Sequence, residues 1–288
     1  MELIFLGTGS GIPSPSRFHS SVLLRYGPEI FMLDCGEGAQ IRMFGAGISP
    51  LRLRRIFITH WHADHFSGLL PLLETMNLMG RTDPLEIYAP EAGRFVYPIL
   101  ELSYSDPGFE VTPVEALGEE KKTLVETERY LIRSIPTSHG VPSVGFSFVE
   151  KDRWKIDPAK VAEAGLSGPE ISELKKRGRF RGVRIEDVAN RVPGRRVVYS
   201  GDTEPVAGVF EEAAGGVLVH DSTFFEDPKY LHSSAREVAE LARRYGVKVL
   251  ILTHFSRKYP RPDLRARSLR KVFPNIFVAK DLSRFRVP

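Results

Sequence analysis

The stretch ITHWHADHFSG, residues 58–68, places three histidines and an aspartate within six consecutive positions, directly behind the apolar run RIFIT (55–59). Burying three imidazoles and a carboxylate together without a cation is costly, so the fold has to end a strand here and gather more ligands around metal. His60 and His62, two apart on an extended turn, can approach one ion. Asp64 and His65, where a helix begins, can point at a second. The other ligands have to come from elsewhere, and His139 in IPTSHG, Asp202 in VVYSGDT and His254 in VLILTHFS each follow an apolar run. Taken singly, a histidine at a strand end is more often packed or hydrogen-bonded than a ligand, and Asp202 would ordinarily form a turn or cap a helix. The six-residue cluster lifts these candidates with it. Cys35 is the only cysteine, so the set is all nitrogen and oxygen, which favours zinc, with manganese or iron compatible on ligand type. Two such ions can generate hydroxide near neutral pH and clamp the attacking and leaving oxygens of a phosphodiester.

Around the cluster, short runs rich in Ile, Val and Phe recur at 2–6, 21–26, 29–34, 55–59, 85–89, 130–135, 144–149, 196–200, 216–221 and 248–254, and read as buried strands. Helical periodicity fills residues 65–80 and 233–246, the latter with Ser233 or Ser234 as cap and Gly246 as stop. Strands come first and then alternate with helices, an order that fits two sheets packed face to face with helices outside. Length and the lack of a long polar linker predict one domain over 1–288. Residues 151–195 break the rhythm with one short helical pattern, a Gly-Pro and a basic run, and read as an insertion projecting from the core. Between Lys151 and Arg196 thirteen Lys/Arg face seven Asp/Glu, so this segment carries +6 of a total of +4 and the remainder carries −2.

The start MELIFLGTGSG lacks the basic opening and long apolar core of a signal peptide, and no run approaches 18 apolar residues, so neither secretion nor a membrane span is expected. One cysteine suits a reducing cytoplasm. Glutamine occurs once and asparagine three times against abundant Arg, Lys and Glu, a bias of proteins from hot habitats.

HWHADH, together with LGTGSG (6–11), LDCGEGAQ (33–40), SHG (138–140), SGDT (200–203) and LTHFS (252–256), resembles the metallo-β-lactamase superfamily and, within it, the ribonuclease Z family. The resemblance implies an α/β, four-layer αβ/βα sandwich with metals at the edge between the sheets and a flexible inserted arm, residues 152–193. It implies that His60, His62 and His139 hold one zinc ion, Asp64, His65 and His254 the other, and that Asp202 bridges. Asp34 is either a second-shell aspartate orienting a ligand histidine or a strand-ending turn residue, and Cys35 packs rather than reacts.

The metal pair alone does not name a substrate, since the superfamily hydrolyses β-lactams, thioesters, sulfate esters and phosphodiesters. Three features do. GLSGPEISELKKRG (165–178) looks like the Gly-Pro arm that holds the elbow of precursor tRNA, although the spacing to Gly178 is one residue longer than the family pattern. Gly168, Pro169, Lys175, Lys176, Arg177, Arg179 and Arg181 are the expected RNA contacts, and LKKRGRFRGVR has six cations and no anion, enough to bind phosphates by counterion release. HDSTFF and LHSSA look like the family's HEATF and its downstream histidine, which makes Asp221 and His232 a carboxylate-histidine pair at the leaving group, with Asp where the family has Glu. His232 capping the following helix is the bland alternative, and His220 reads as structural. The loop GIPSPSRFHS keeps Arg17 of the family's P-x-K-x-R-N but has Pro15 and Phe18 in place of Lys and Asn, which leaves discrimination against CCA open. THFSRKYP keeps Ser256 and Tyr259, with Lys258 where Arg is common.

These features predict a zinc-dependent endoribonuclease that removes the 3′ trailer of precursor tRNA, with Asp64 orienting or deprotonating the attacking hydroxide and His232 and Asp221 assisting the leaving oxygen. By resemblance it is a homodimer in which one subunit's arm serves the other's site. The competing readings are a small-molecule phosphodiesterase of the same superfamily and an RNA-binding module with structural metals.

Overall fold

The computed structural model describes residues 1–102 and 107–288. Among them the core is two seven-stranded sheets. The first runs, edge to edge, Arg284–Arg286, Glu2–Gly7, Ser21–Tyr26, Glu29–Leu33, Leu53–Phe57, Leu85–Ala89 and Val111–Glu115. The second runs Ile276–Val278, Val249–Thr253, Val217–Asp221, Arg196–Tyr199, Val144–Glu150, Tyr130–Pro136 and Lys122–Glu126.

Nearly every central strand is buried on both faces, which is why it reads as a continuous apolar run instead of an alternation. Along Glu2–Gly7, Leu3 and Phe5 enter the layer between the sheets, while Ile4 and Leu6 face the outer helices. The inner layer is aromatic: the Phe57 ring stacks on Tyr88 at 4.8 Å and meets Phe146 edge-on at 5.2 Å. Helix Leu69–Leu78 covers the first sheet through Leu69, Leu72, Leu73 and Met76. Helices Ala207–Ala213 and Ala235–Arg244 cover the second through Val209, Phe210, Ala235, Val238, Ala239 and Ala242. The four layers are those of the αβ/βα sandwich.

The expected helix over 65–80 is two helices, Ala63–Phe66 and Leu69–Leu78. They separate where Gly68 N–H donates to the Cys35 carbonyl at 2.9 Å instead of back into the first helix, an approach so close that a β-carbon on Gly68 would lie 2.1 Å from the Gly36 carbonyl oxygen. At the second helix, the Ser234 hydroxyl accepts from Glu237 N–H and caps, whereas Ser233 donates to the Thr203 carbonyl and ties the helix to the SGDT loop.

The insertion folds on itself. Strands Arg153–Ile156 and Ala189–Val192 pair as an antiparallel stem. Beyond it, helices Pro158–Glu163 and Gly168–Arg177, a short hairpin and helix Ile185–Val188 close over a separate apolar cluster of Leu174, Ile185, Val188 and Ala189. The stem continues strand Val144–Glu150 and leads into strand Arg196–Tyr199. It leaves the core at the end of the sheet that holds Glu150 and Arg195.

That junction is clamped by the Glu150 carboxylate, which accepts from Arg195 Nε at 2.7 Å, Arg195 N–H at 3.1 Å and the Tyr26 hydroxyl at 3.1 Å. Burial opposes the charge, but the bonds and charge of Arg195 outweigh it and pull the Glu150 pKa down to about 2. Its unfolded value lies near 4.3, so the clamp stabilises fully above that value and is lost as pH falls through about 2. Urea midpoints measured from pH 6 down to pH 2 are expected to drop less steeply in Glu150→Gln than in the parent; parallel acid limbs would refute the clamp.

Candidate metal centre

The parallel strands of both sheets all end at one edge, opposite the stem of the insertion, and the residues just past those ends converge there. His60 and His62 follow Leu53–Phe57, His139 follows Tyr130–Pro136, Asp202 follows Arg196–Tyr199, Asp221 ends Val217–Asp221, and His254 follows Val249–Thr253.

Two groups form. His62 Nδ1 lies 3.1 Å from His60 Nε2 and 3.2 Å from His139 Nε2. In the second group His65 Nε2 and His254 Nε2 lie 3.2 Å apart, and Asp64 Oδ2 is 3.2 Å from His254 Nε2. Asp202 stands between them, with Oδ2 3.3 Å from His65 Nε2 and 3.9 Å from His60 Nε2. Each group could hold a metal ion, His60, His62 and His139 in one and Asp64, His65, Asp202 and His254 in the other, and a further set of possible ligands, Asp202, Asp221, His232 and His254, overlaps the second.

His60, His65, His139 and His254 are each aimed through their second nitrogen, His60 by the Thr59 hydroxyl 3.0 Å from its Nδ1. Asp34 Oδ2 meets His65 Nδ1 at 2.7 Å, and the Asp34 carboxylate also accepts from Thr59 N–H at 2.7 Å, the Thr59 hydroxyl at 3.0 Å and the Tyr199 hydroxyl at 2.8 Å. Asp34 therefore has the geometry to orient His65, and the turn alone does not describe it. His139 Nδ1 donates to the Leu231 carbonyl at 3.1 Å, and His254 Nδ1 lies 2.7 Å from the Thr223 hydroxyl. Asp34 and His254 both take left-handed backbone conformations, φ 55° and 59°, which side chains rarely adopt and which are held here by their surroundings.

The electrostatics are those of a buried anionic pocket. Burial disfavours the carboxylates of Asp64 and Asp202, yet the bonds and charges of His254 and His65 hold both pKa values far below the usual range. Burial likewise opposes charge on His65 and His254, but Asp202 outweighs it, helped by Asp34 on His65 and by Asp221 and Asp64 on His254, and raises the His254 value to about 10. His60 goes the other way, pushed well below the ordinary value by burial and by the neighbouring charge of His65.

Beside the second group, Asp221 Oδ2 holds His232 Nδ1 at 2.7 Å, and Thr223 donates to the other Asp221 oxygen through N–H at 2.8 Å and hydroxyl at 2.7 Å. His232 is thus oriented by Asp221, while the cap of the next helix is Ser234. His220 is buried against the Phe210 ring, and Cys35 is buried with its thiol pKa raised by burial.

The arm residues stand apart from this cluster. Gly168 and Pro169 are the first turn of helix Gly168–Arg177, where Glu170 accepts from Ser167 N–H at 2.9 Å. Lys175, Lys176 and Arg177 occupy its last turn, favourable against the helix dipole. Arg181 is paired with Glu170, and Arg177 and Lys176 with Glu173. Arg17 is turned inward: its guanidinium donates to Thr8 and to the Ala279 carbonyl at 3.2 Å, and lies 4.8 Å over the Phe255 ring.

Sequence reasoning missed Thr59, Tyr199, Thr223 and the Leu231 carbonyl. Thr59 and Thr223 adjoin motif residues and were findable as hydroxyls beside buried ligands. Tyr199 and Leu231 act across 165 and 92 positions respectively and carry no local signal.

A family model described as anti-Pycsar protein Apyc1 matches residues 1–94. The chain is 41% identical over 295 residues, 98% of this chain and 95% of the relative, to the ribonuclease Z of Methanothermobacter thermautotrophicus. It is 36% identical over 296 residues to the ribonuclease Z of Pyrococcus furiosus, covering 99% and 95% of the two chains. The crystal structure of human tRNase Z, short form, superposes with TM-score 0.73 at 27% identity over 100% of both chains. The metallo-β-lactamase fold protein YhfI of Bacillus subtilis shares the fold alone, at TM-score 0.71 and 17% identity over 99% of this chain and 98% of the other. With relatives this similar along its whole length, the chain belongs to the ribonuclease Z family and has the metallo-β-lactamase fold.

Proposed function

We infer that the protein is a metal-dependent endoribonuclease that removes the 3′ trailer from precursor tRNA and leaves a 3′-hydroxyl on the tRNA. The observation that carries this reading is the sharing of Asp202 between two ligand groups with the Asp221–His232 pair alongside, in a chain of this family.

The residues fit a pair of zinc ions, and manganese by the same donor types. Imidazole nitrogens approach one another at 3.1 to 3.2 Å, Asp202 Oδ1 is buried without a hydrogen-bond partner, and three buried carboxylates draw protons onto His65, His254 and His232, a demand for positive charge that cations meet. His60, His62 and His139 would hold one ion, Asp64, His65 and His254 the other, and Asp202 both. When bound, such a pair acidifies a water and offsets charge on the reacting phosphate. Asp64 orients or deprotonates the attacking water. Asp221 accepts from His232 Nδ1, which leaves Nε2 as the donor to the departing 3′ oxygen. The trailer leaves with the 5′-phosphate.

The arm, residues 152–193, serves as the tRNA-holding element through Gly168, Pro169 and the basic residues 175–181. It springs from the sheet edge opposite the candidate centre, across a seven-residue strand, a separation of roughly 20 Å. That separation favours a homodimer in which one subunit's arm serves the other's site. No described helix is long and apolar enough to cross a membrane, and tRNA as substrate favours the cytoplasm.

Incubation with one precursor tRNA, with and without CCA, followed by mapping of both new ends, tests the reading. Cleavage at the 3′ end of the acceptor stem with a 3′-hydroxyl is expected; no cleavage in zinc or manganese would overturn it. Asp34→Ala is expected to weaken metal retention by about 10- to 100-fold, measured by competition with a chromogenic chelator, because His65 loses the carboxylate that aims it. Unchanged retention would show that Asp34 only shapes the turn.

A further inference from the structure

We propose that a groove beside His232 receives the nucleotide whose 3′ oxygen departs, with phosphate on Lys229, Lys258 and Arg265 and the base against Phe224; this rests on the endoribonuclease reading above. The groove encloses about 350 Å³ and is lined by these four residues together with Phe225 and Tyr259. That volume lies within the usual range of small-ligand clefts, ~300–1,000 Å³.

Its position follows from three contacts. The Phe224 ring lies 6.0 Å from the His232 ring, and His232 N–H donates to the Lys229 carbonyl at 3.3 Å. Two residues along, the Leu231 carbonyl aims His139. One loop, residues 224–232, therefore forms the groove wall, orients a candidate ligand and carries the proton donor. Asp227, Tyr230 and Leu231 in it all have left-handed backbones, φ 48°, 57° and 58°, without a glycine among them. Side chains rarely adopt this region, and a loop holds three such residues only where its surroundings fix the shape.

The chemistry suits an RNA strand. Among the described residues, Lys229, Lys258 and Arg265 have no carboxylate within 4 Å, and the last two sit over the Tyr259 ring at 6.0 and 5.0 Å. Glu226 and Asp227 also line the groove, but Glu226 faces Arg236 at 3.9 Å, which leaves the cations in excess. Phe224 is half-buried and offers a face for stacking, which any base satisfies. Because Asp221 turns His232 toward the leaving oxygen, the nucleotide on this side is the one bearing that oxygen.

The test uses the whole protein and its hydrolysis of bis(p-nitrophenyl) phosphate as reporter, with two trinucleotides as inhibitors, one ending in a 3′-hydroxyl and one beginning with a 5′-phosphate. In Lys229→Ala/Lys258→Ala the inhibition constant of the 3′-hydroxyl RNA is expected to rise about tenfold, and that of the 5′-phosphate RNA by less than twofold. Phe224→Leu is expected to give the same asymmetry. An equal rise for both RNAs would make the cations a general basic rim, and no rise would make the groove unused; either overturns the proposal. A wild-type protein that hydrolyses the reporter but leaves precursor tRNA intact refutes the tRNA reading, and the inhibitor pattern still decides the groove.

Discussion

Asp202→Asn is expected to lower kcat/KM for precursor tRNA by at least about a thousandfold, equivalent to roughly 4 kcal/mol of transition-state stabilisation. Among the described residues Asp202 is the carboxylate paired with both ligand groups, 3.3 Å from His65, 3.9 Å from His60 and 3.2 Å from His254. The amide keeps the shape of the side chain and removes the charge that, on the two-ion reading proposed above, would serve both ligand groups. Far-ultraviolet circular dichroism should stay unchanged while bound metal per chain falls below that of the parent. His232→Ala separates the two roles: it should keep its metal and lose about 10²- to 10⁴-fold in rate, the usual worth of a placed proton donor. If Asp202→Asn retains full metal and cleaves within tenfold of the parent, Asp202 is only a buried partner of His254, and the two-ion reading falls with it.

What could be read without coordinates follows burial. Ser21–Tyr26 and Leu85–Ala89 have the bounds their apolar runs suggest, because both faces of each strand are covered. Val111–Glu115, Lys122–Glu126 and Arg284–Arg286 were not legible, since they lie at sheet edges, are half exposed and carry polar residues that break the run. Inside the insertion the one short helical pattern expected is three helices, Pro158–Glu163, Gly168–Arg177 and Ile185–Val188, and the stem pairing Arg153–Ile156 with Ala189–Val192 joins segments more than thirty residues apart and has no hydrophobic signature. At the centre the pattern is the same. The candidate ligands sit one to eight residues past strand ends, where motifs are sought first, whereas the groups that aim them, Tyr199 on Asp34 and the Leu231 carbonyl on His139, depend on tertiary approach. Arg17 shows the converse: a motif match located the residue, but the Phe255 face and the Ala279 carbonyl turned it inward.

Deleting residues 152–193 and joining Lys151 to Gly194 is expected to reduce kcat/KM for precursor tRNA by more than a hundredfold while hydrolysis of bis(p-nitrophenyl) phosphate stays within about twofold. The geometry favours a clean excision. Glu150 N–H already donates to the Arg195 carbonyl at 2.8 Å, so the cut ends face each other across a strand pair and a two-residue turn can close them. The arm's apolar cluster, Leu174, Ile185, Val188 and Ala189, is its own and leaves with it. The candidate centre lies at the opposite edge and keeps every group that aims it. What is lost is a segment carrying ten cations against seven anions, and with it the counterions that RNA binding releases. The dependence of log KM on log salt should therefore flatten as well as shift. Lys175→Ala and Arg179→Ala, which break no ion pair among the described residues, should reproduce part of the shift, whereas Arg181→Ala also frees Glu170 at the start of the Gly-Pro helix. If the shortened protein cuts precursor tRNA as well as the parent does, the arm is not where tRNA is held, and the substrate must be read from the centre alone, where a small phosphodiester fits equally well.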